Sequence, residues 1–205
     1  MKKKRIIHII LILFIISTSI GYSLLTSNLE IQGEVSISKV DSILLAVEEN
    51  NEIAFRSTEY KTKIKTITFE NKINVPETAV ASWDIGVSQI GNVMAYLLIN
   101  EEDNTLYDLY IQGNNTLYAN ENMSWWFSGF ENLTEIININ LLDTSKTTDM
   151  SWLFSGSAKL TELNLNSWDT KNVLTIEGIF SETHSLEKLY VNDWDTSKIK
   201  DMGLA

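Results

Sequence analysis

The residues in this chain whose types could carry chemistry are few. A histidine is the usual general acid or base, and there are two. His8 lies in an apolar N-terminal run. His184 occupies a turn whose counterparts are Glu131 and Ala158, so it reads as a solvated loop residue. Glycoside hydrolysis needs two carboxylates flanking the scissile bond. Glu101, Glu102 and Asp103 are instead adjacent and read as a solvated acidic turn. Asp143, Asp169 and Asp195 recur at even spacing and could be stacked as calcium ligands. Calcium wants about six to eight oxygens, and one carboxylate per recurrence, next to Thr and Ser, reads as turn capping. No Ser or Lys stands in a nucleophile motif, and no glycine-rich phosphate loop is present. The chain has no cysteine, which removes disulfides and thiolate metal sites. The expectation is a non-enzyme with no catalytic, cofactor-binding or metal residue.

The tryptophans offer binding rather than catalysis. Trp125 and Trp152 stand immediately before an apolar pair, at a position that is Gly178 in the next copy of the pattern. A position that takes both Trp and Gly does not read as deep core. Two exposed rings could stack on a sugar or grip a protein. The competing reading is that they pack on neighbouring loops. Trp168 and Trp194 fall at core phase and read as structural. Asn-x-Ser/Thr sequences at 114, 122 and 132 are what an Asn-rich chain yields by chance, and no role is assigned to them.

What must position these rings is a repeat. Met150, Leu153, Phe154, Leu160, Leu163, Leu165, Trp168 and Asp169 recur 26 residues later as Ile176, Ile179, Phe180, Leu186, Leu189, Val191, Trp194 and Asp195. Met123, Trp126, Phe127, Leu133 and Ile136 precede the first set by 27. Such a period predicts a solenoid. Within each copy, Met150, Leu153 and Phe154 at i, i+3 and i+4 predict a short helical turn, and alternating Leu163 and Leu165 predict a short strand. One copy buries six large apolar side chains at about 1.5–3 kcal/mol each. Ordering its backbone costs about 1–2 kcal/mol per residue, so it folds only with neighbours. Phe127, Phe154 and Phe180 should form one core ladder, with Leu160 and Leu186 beside it. Leu142, Trp168 and Trp194 should form another. The expected fold is α/β: a leucine-rich-repeat-like solenoid of ~26-residue repeats, short helical turn plus short strand in a parallel sheet, behind a β-rich N-terminal lead-in.

Here the phrases become specific. Asp-Met-Ser-Trp-Leu-Phe (149–154), Leu-Thr-Glu-Leu-Asn-Leu-Asn-Ser-Trp-Asp-Thr (160–170) and Trp-Asp-Thr-Ser-Lys-Ile-Lys-Asp-Met (194–202) resemble the BspA-like leucine-rich-repeat bacterial surface proteins. That family repeats a pattern close to "MSxMF…L..L.LS.WDTS.VT.M". Upstream, Ala81-Ser82-Trp83-Asp84-Ile85, Asn92-Val93-Met94-Ala95-Tyr96-Leu97, Leu109-Tyr110-Ile111-Gln112-Gly113 and Leu117-Tyr118-Ala119-Asn120 look like the module leading into the first repeat of such proteins. The resemblance covers residues 64–202. It departs at Gly156-Ser157, where the family has "gC", and at Glu177-Gly178, which replaces Ser plus a large residue. The resemblance implies an exported bacterial surface protein, with adhesion or host-protein binding as the work of some members. It identifies no ligand.

The N-terminus points to export independently. Lys2, Lys3, Lys4 and Arg5 precede an apolar run from Ile6 to Ile16, followed by Ser17, Thr18, Ser19 and Gly21. This is the layout of a secretory signal. Ile6 to Leu25 is also long enough to be a retained anchor. Either way, positive-inside logic leaves the remainder outside. The net charge is −11, or −15 once the four basic residues before Ile6 are set aside. Such a surface disfavours nucleic acid and anionic membranes; its simplest account is solubility.

The expected organisation is residues 1–25 as signal peptide or membrane anchor, 26–57 as a β-rich segment, 58–120 as a β-rich lead-in, and 121–205 as repeats. The repeats divide as 121–147, 148–173 and 174–199, with an incomplete fourth from 200. Residues 63–69 alternate cleanly and predict a strand. Met94 to Ile99 and Tyr107 to Ile111 predict a hairpin. At the C-terminus, further repeats or an edge-pairing chain are expected to cover Leu186, Leu189 and Val191. The functional expectation is an extracellular, non-enzymatic solenoid binding a host or neighbouring-cell protein or glycan, with the membrane touched only through the N-terminal segment. A carbohydrate-binding module using Trp125 and Trp152 is the alternative, and a structural spacer a third.

Overall fold

The computed structural model describes residues 42–44, 46–47 and 54–205, all within one unit, Lys39–Ala205. The expectations for 1–25, and for most of 26–57, lie outside the described residues. No helix among the described residues is long and apolar enough to cross a membrane.

Among the described residues ten short strands carry the architecture: β1 (Ser42–Ile43), β2 (Ile64–Glu70), β3 (Ala81–Asp84), β4 (Val93–Ile99), β5 (Tyr107–Gly113), β6 (Leu117–Tyr118), β7 (Glu135–Ile137), β8 (Leu142–Asp143), β9 (Glu162–Asn164) and β10 (Lys188–Tyr190). They fall in three sheets. A five-stranded sheet has the order β3-β4-β5-β2-β7 and is mixed: β3, β4 and β5 are antiparallel, whereas β2 runs parallel to both β5 and β7. A three-stranded sheet, β1-β6-β8, and the pair β9-β10 are parallel.

The expected α/β class and leucine-rich-repeat-like solenoid are overturned by this arrangement. The described residues contain no α-helix, only short 3₁₀ turns at Ala54–Arg56, Lys61–Lys63 and Ile139–Leu141, and the strands divide among three separate sheets, the largest of them mixed. The physical reason lies in the segment expected to be a helical turn. Trp125 and Trp152 have φ of 64° and 57°, and Gly129 and Gly156 follow at 75° and 72°. A left-handed residue every fourth position breaks a helical hydrogen-bond ladder. The backbone instead bonds sideways. The N–H groups of Met123, Trp125, Phe127 and Gly129 donate to the carbonyls of Asp149, Ser151, Leu153 and Ser155 at 2.8, 3.1, 2.9 and 2.8 Å. Those of Met150, Trp152, Phe154 and Gly156 donate to Thr175, Glu177, Ile179 and Ser181 at 3.1, 2.8, 3.0 and 2.8 Å. The i, i+3, i+4 apolar pattern buries the same side chains without a helix.

The core runs through both halves. Ile67 and Phe69 of β2, Val93, Ala95 and Leu97 of β4, and Leu109 and Ile111 of β5 are buried on one face of the five-stranded sheet. Phe69 meets Phe127 edge-on at 6.2 Å. From there Phe127, Phe154 and Phe180 stack at 5.6 and 6.0 Å, and Phe154 also meets Trp168 at 6.1 Å. Phe127, Phe154, Leu160 and Trp168 are fully buried, while Phe180, Leu186 and Trp194 are half-buried. Each structural indole donates to a carbonyl in the preceding copy: Trp168 Nε1 to Ile139 at 3.4 Å and Trp194 Nε1 to Leu165 at 3.1 Å.

Candidate functional site

The left-handed turn positions line up. Trp125, Trp152, Gly178 and Leu204 have φ of 64°, 57°, 58° and 58° and occur at successive copies. The lateral bonds of the first three set the register: Trp125 N–H to Ser151 at 3.1 Å, Trp152 to Glu177 at 2.8 Å and Gly178 to Gly203 at 2.7 Å. Two indoles one copy apart therefore stack, with centroids 5.3 Å apart and planes within 8°. The ring of Trp152 also occupies the space a Cβ on Gly178 would need, its Cε3 lying 2.5 Å from that point. Both faces of Trp152 are thus covered, one by Trp125 and one by the Gly178 backbone. Both tryptophans remain half-buried, Trp152 with neither face free and Trp125 with one face against Trp152.

A bulky residue held left-handed costs about 1–2 kcal/mol, and an aromatic pair returns about 0.5–1.5 kcal/mol. Two such residues share one stack, so their combined strain of about 2–4 kcal/mol exceeds that return, and the two tryptophans are not explained as stabilisers of their own turns. Four residues beyond Trp125, Trp152 and Gly178, the chain turns again at Gly129, Gly156 and Glu182, the last with φ of 59°. Here a shallow groove of about 320 Å³ is lined by Ser128, Gly129, Glu131, Gly156, Glu182 and His184 among others. His184 is exposed in this turn.

The aspartates considered for calcium cap their own turns. Oδ1 of Asp143, Asp169 and Asp195 accepts the backbone N–H of Ser145, Lys171 and Ser197 at 2.9, 3.1 and 2.9 Å. Lys171 holds the Asp169 carboxyl below the usual carboxylate range, and Ser197 does the same for Asp195. Among the described residues no group of three or more His, Cys, Asp or Glu side chains is placed to hold a metal. A second capping row escaped the sequence reading. Asn122, Asp149, Thr175 and Asp201 accept from the backbone N–H of Ser124, Ser151, Glu177 and Gly203. Its signal was an Asn, Asp or Thr two residues ahead of the position that recurs as Ser, Ser, Glu and Gly.

Two further features were not legible. A polar cleft of about 710 Å³ is lined by Glu70, Asn71, Asn114, Asn115, Asn140, Asp143, Ser167 and Asp169, drawn from turns far apart in sequence. Arg56 is 2% exposed, and its Nε and Nη1 have no hydrogen-bond partner among the described residues. Burial lowers its guanidinium to about 10, which leaves it charged at neutral pH.

Residues 121–204 are similar to the family described as Mycoplasma protein of unknown function, DUF285. That match begins where the recurring phrases begin. No curated protein and no solved structure matches the chain.

Proposed function

We propose that this is an exported bacterial surface protein, without enzymatic activity, whose work is to bind another protein through the Trp125–Trp152 stack. The observation that carries this reading is the stack itself. Two large rings are held in a strained left-handed conformation, half-exposed and side by side. An observed backbone outlier is a reason to look for function, and partly exposed tryptophans are frequent anchors of protein interfaces. The basic n-region and apolar run at residues 2–16, the acidic remainder, and the resemblance to BspA-like surface proteins support the setting.

A sugar ring stacks on an exposed aromatic face. Trp152 has no free face and Trp125 has lost one to it, so this geometry favours a protein partner over a glycan. Purified host matrix proteins and a glycan array, each probed with the native chain and with Trp125→Ala/Trp152→Ala, test the choice. Protein binding that falls about tenfold or more per ring, about 1.4 kcal/mol each, is the expected result. Glycan binding lost in the double variant, with no protein ligand, would overturn the protein reading.

A further inference from the structure

Three neighbouring strands of the five-stranded sheet converge on one carboxamide. Asn100, just past β4, is 7% exposed. Its Oδ1 accepts the backbone N–H groups of Glu102 and Asp103 at 3.2 and 3.0 Å, and Nζ of Lys65 from β2 lies 3.3 Å away. Its Nδ2 donates to both oxygens of Asp108 in β5, at 2.9 and 3.0 Å. Asp108 is itself fixed by the Thr66 hydroxyl at 2.7 Å. Lys65 Nζ also contacts a Glu102 oxygen at 2.5 Å.

These are the parts of an acyl transfer. A primary amine stands beside an amide carbonyl. Two backbone donors point at the oxygen on which negative charge would develop, as in an oxyanion hole. One carboxylate holds the amine and another holds the leaving nitrogen, which are the positions of general base and general acid. We propose that Lys65 and Asn100 join in an intramolecular isopeptide bond, tying β2 to the end of β4 across β5.

The step balances without an outside reagent. Glu102 takes one proton from the Lys65 ammonium. The Nζ lone pair attacks Cγ of Asn100, and the carbonyl electrons move onto Oδ1 between the N–H groups of Glu102 and Asp103. Asp108 takes the second proton from Nζ and passes it to Nδ2. The Cγ–Nδ2 bond breaks, ammonia leaves and takes up the proton held by Glu102. One amide replaces another, and nothing is oxidised or reduced. The charged groups facing Lys65 are Glu102, Asp103 and Asp108, all acidic, and its hydrogen bond with Glu102 raises the lysine above its ordinary value. The free amine is therefore the minor species at neutral pH, and bond formation should be slow there and faster as pH rises.

Denaturing intact-mass spectrometry and peptide mapping of the full chain, before and after incubation of the folded protein at neutral pH and near pH 9, closer to the ordinary lysine value of about 10.4, test this. The expected result is a mass lower by one ammonia and a branched peptide joining the segments that carry Lys65 and Asn100, formed faster at the higher pH and absent from Lys65→Arg. Native lysine dimethylation gives a readout independent of any variant, because an acylated Lys65 resists labelling while other surface lysines accept it. An unchanged mass with Lys65 fully labelled after both incubations would overturn the proposal. So would an ammonia loss that persists in Lys65→Arg, which would mark a succinimide at an asparagine.

Discussion

The indole of Trp152 lies across Gly178, filling the space where any other residue would place its Cβ. That point is 2.5 Å from Cε3, 2.6 Å from Cζ3 and 2.7 Å from Cδ2. The glycine also sits at φ of 58°. Two independent demands, space and handedness, thus meet at one position, and Trp125 completes the stack on the other side.

Gly178→Ala is therefore expected to destabilise the protein by about 1–3 kcal/mol through overpacking, with about 1 kcal/mol more from the left-handed alanine. In a Trp152→Ala background only the conformational part should remain. Denaturant unfolding of the two single variants and the double variant measures this coupling. Additive effects would show that the ring and the glycine do not touch.

Phe154→Ala is expected to cost about 3–5 kcal/mol, the range for a buried phenylalanine, because its ring is sealed between Phe127 and Phe180. Trp152→Ala should cost about 0.5–1.5 kcal/mol, the value of the lost stack. Trp152→Gly should cost less than Trp152→Ala, since glycine takes a left-handed turn without strain. Chemical denaturation orders the three; equal losses for Phe154→Ala and Trp152→Ala would contradict the inside and outside placement.

Ser157 stands where the BspA-like pattern has cysteine. It is fully buried, and its hydroxyl donates to the Phe127 carbonyl at 2.9 Å. Ser157→Ala removes the donor and leaves that carbonyl buried without it, at a cost of about 1–3 kcal/mol. Ser157→Cys keeps a weak donor of larger radius and should fall between. Thermal unfolding of both variants checks the order.

Acid should weaken the fold through its paired carboxylates. Asp169 is held low chiefly by Lys171, Asp195 by Ser197, Asp103 by Thr105 and Glu102 by Lys65. A carboxyl depressed in the folded state contributes stability above its unfolded value, near 4 for an ordinary carboxylate. That contribution is lost as pH falls through the folded value. These groups are exposed, so each effect is small. Unfolding free energy measured against pH should be flat near neutrality and decline below about pH 4. The decline should be shallower in Asp169→Asn.

The sequence by itself determined the copy length, the apolar phase and several strands. Ile67 to Glu70 alternates because one face is buried, within β2, whose register shifts between Ile64 and Thr66; residues 94–99 and 107–111 form the antiparallel hairpin β4–β5. Phe127 and Phe154 are identifiable as core because a fixed period keeps them at one phase. What only the tertiary structure decided is how Met150, Leu153 and Phe154 are presented. Their spacing fits a helix and fits equally a pair of left-handed turns, and the choice rests on lateral hydrogen bonds to residues 25 positions on, such as Phe154 to Ile179. The same holds for the Trp125–Trp152 stack, which needs Gly178 beneath it. It holds for Lys65 beside Asn100, 35 residues away, which no local pattern encodes because three strands must pair before the two side chains share a site.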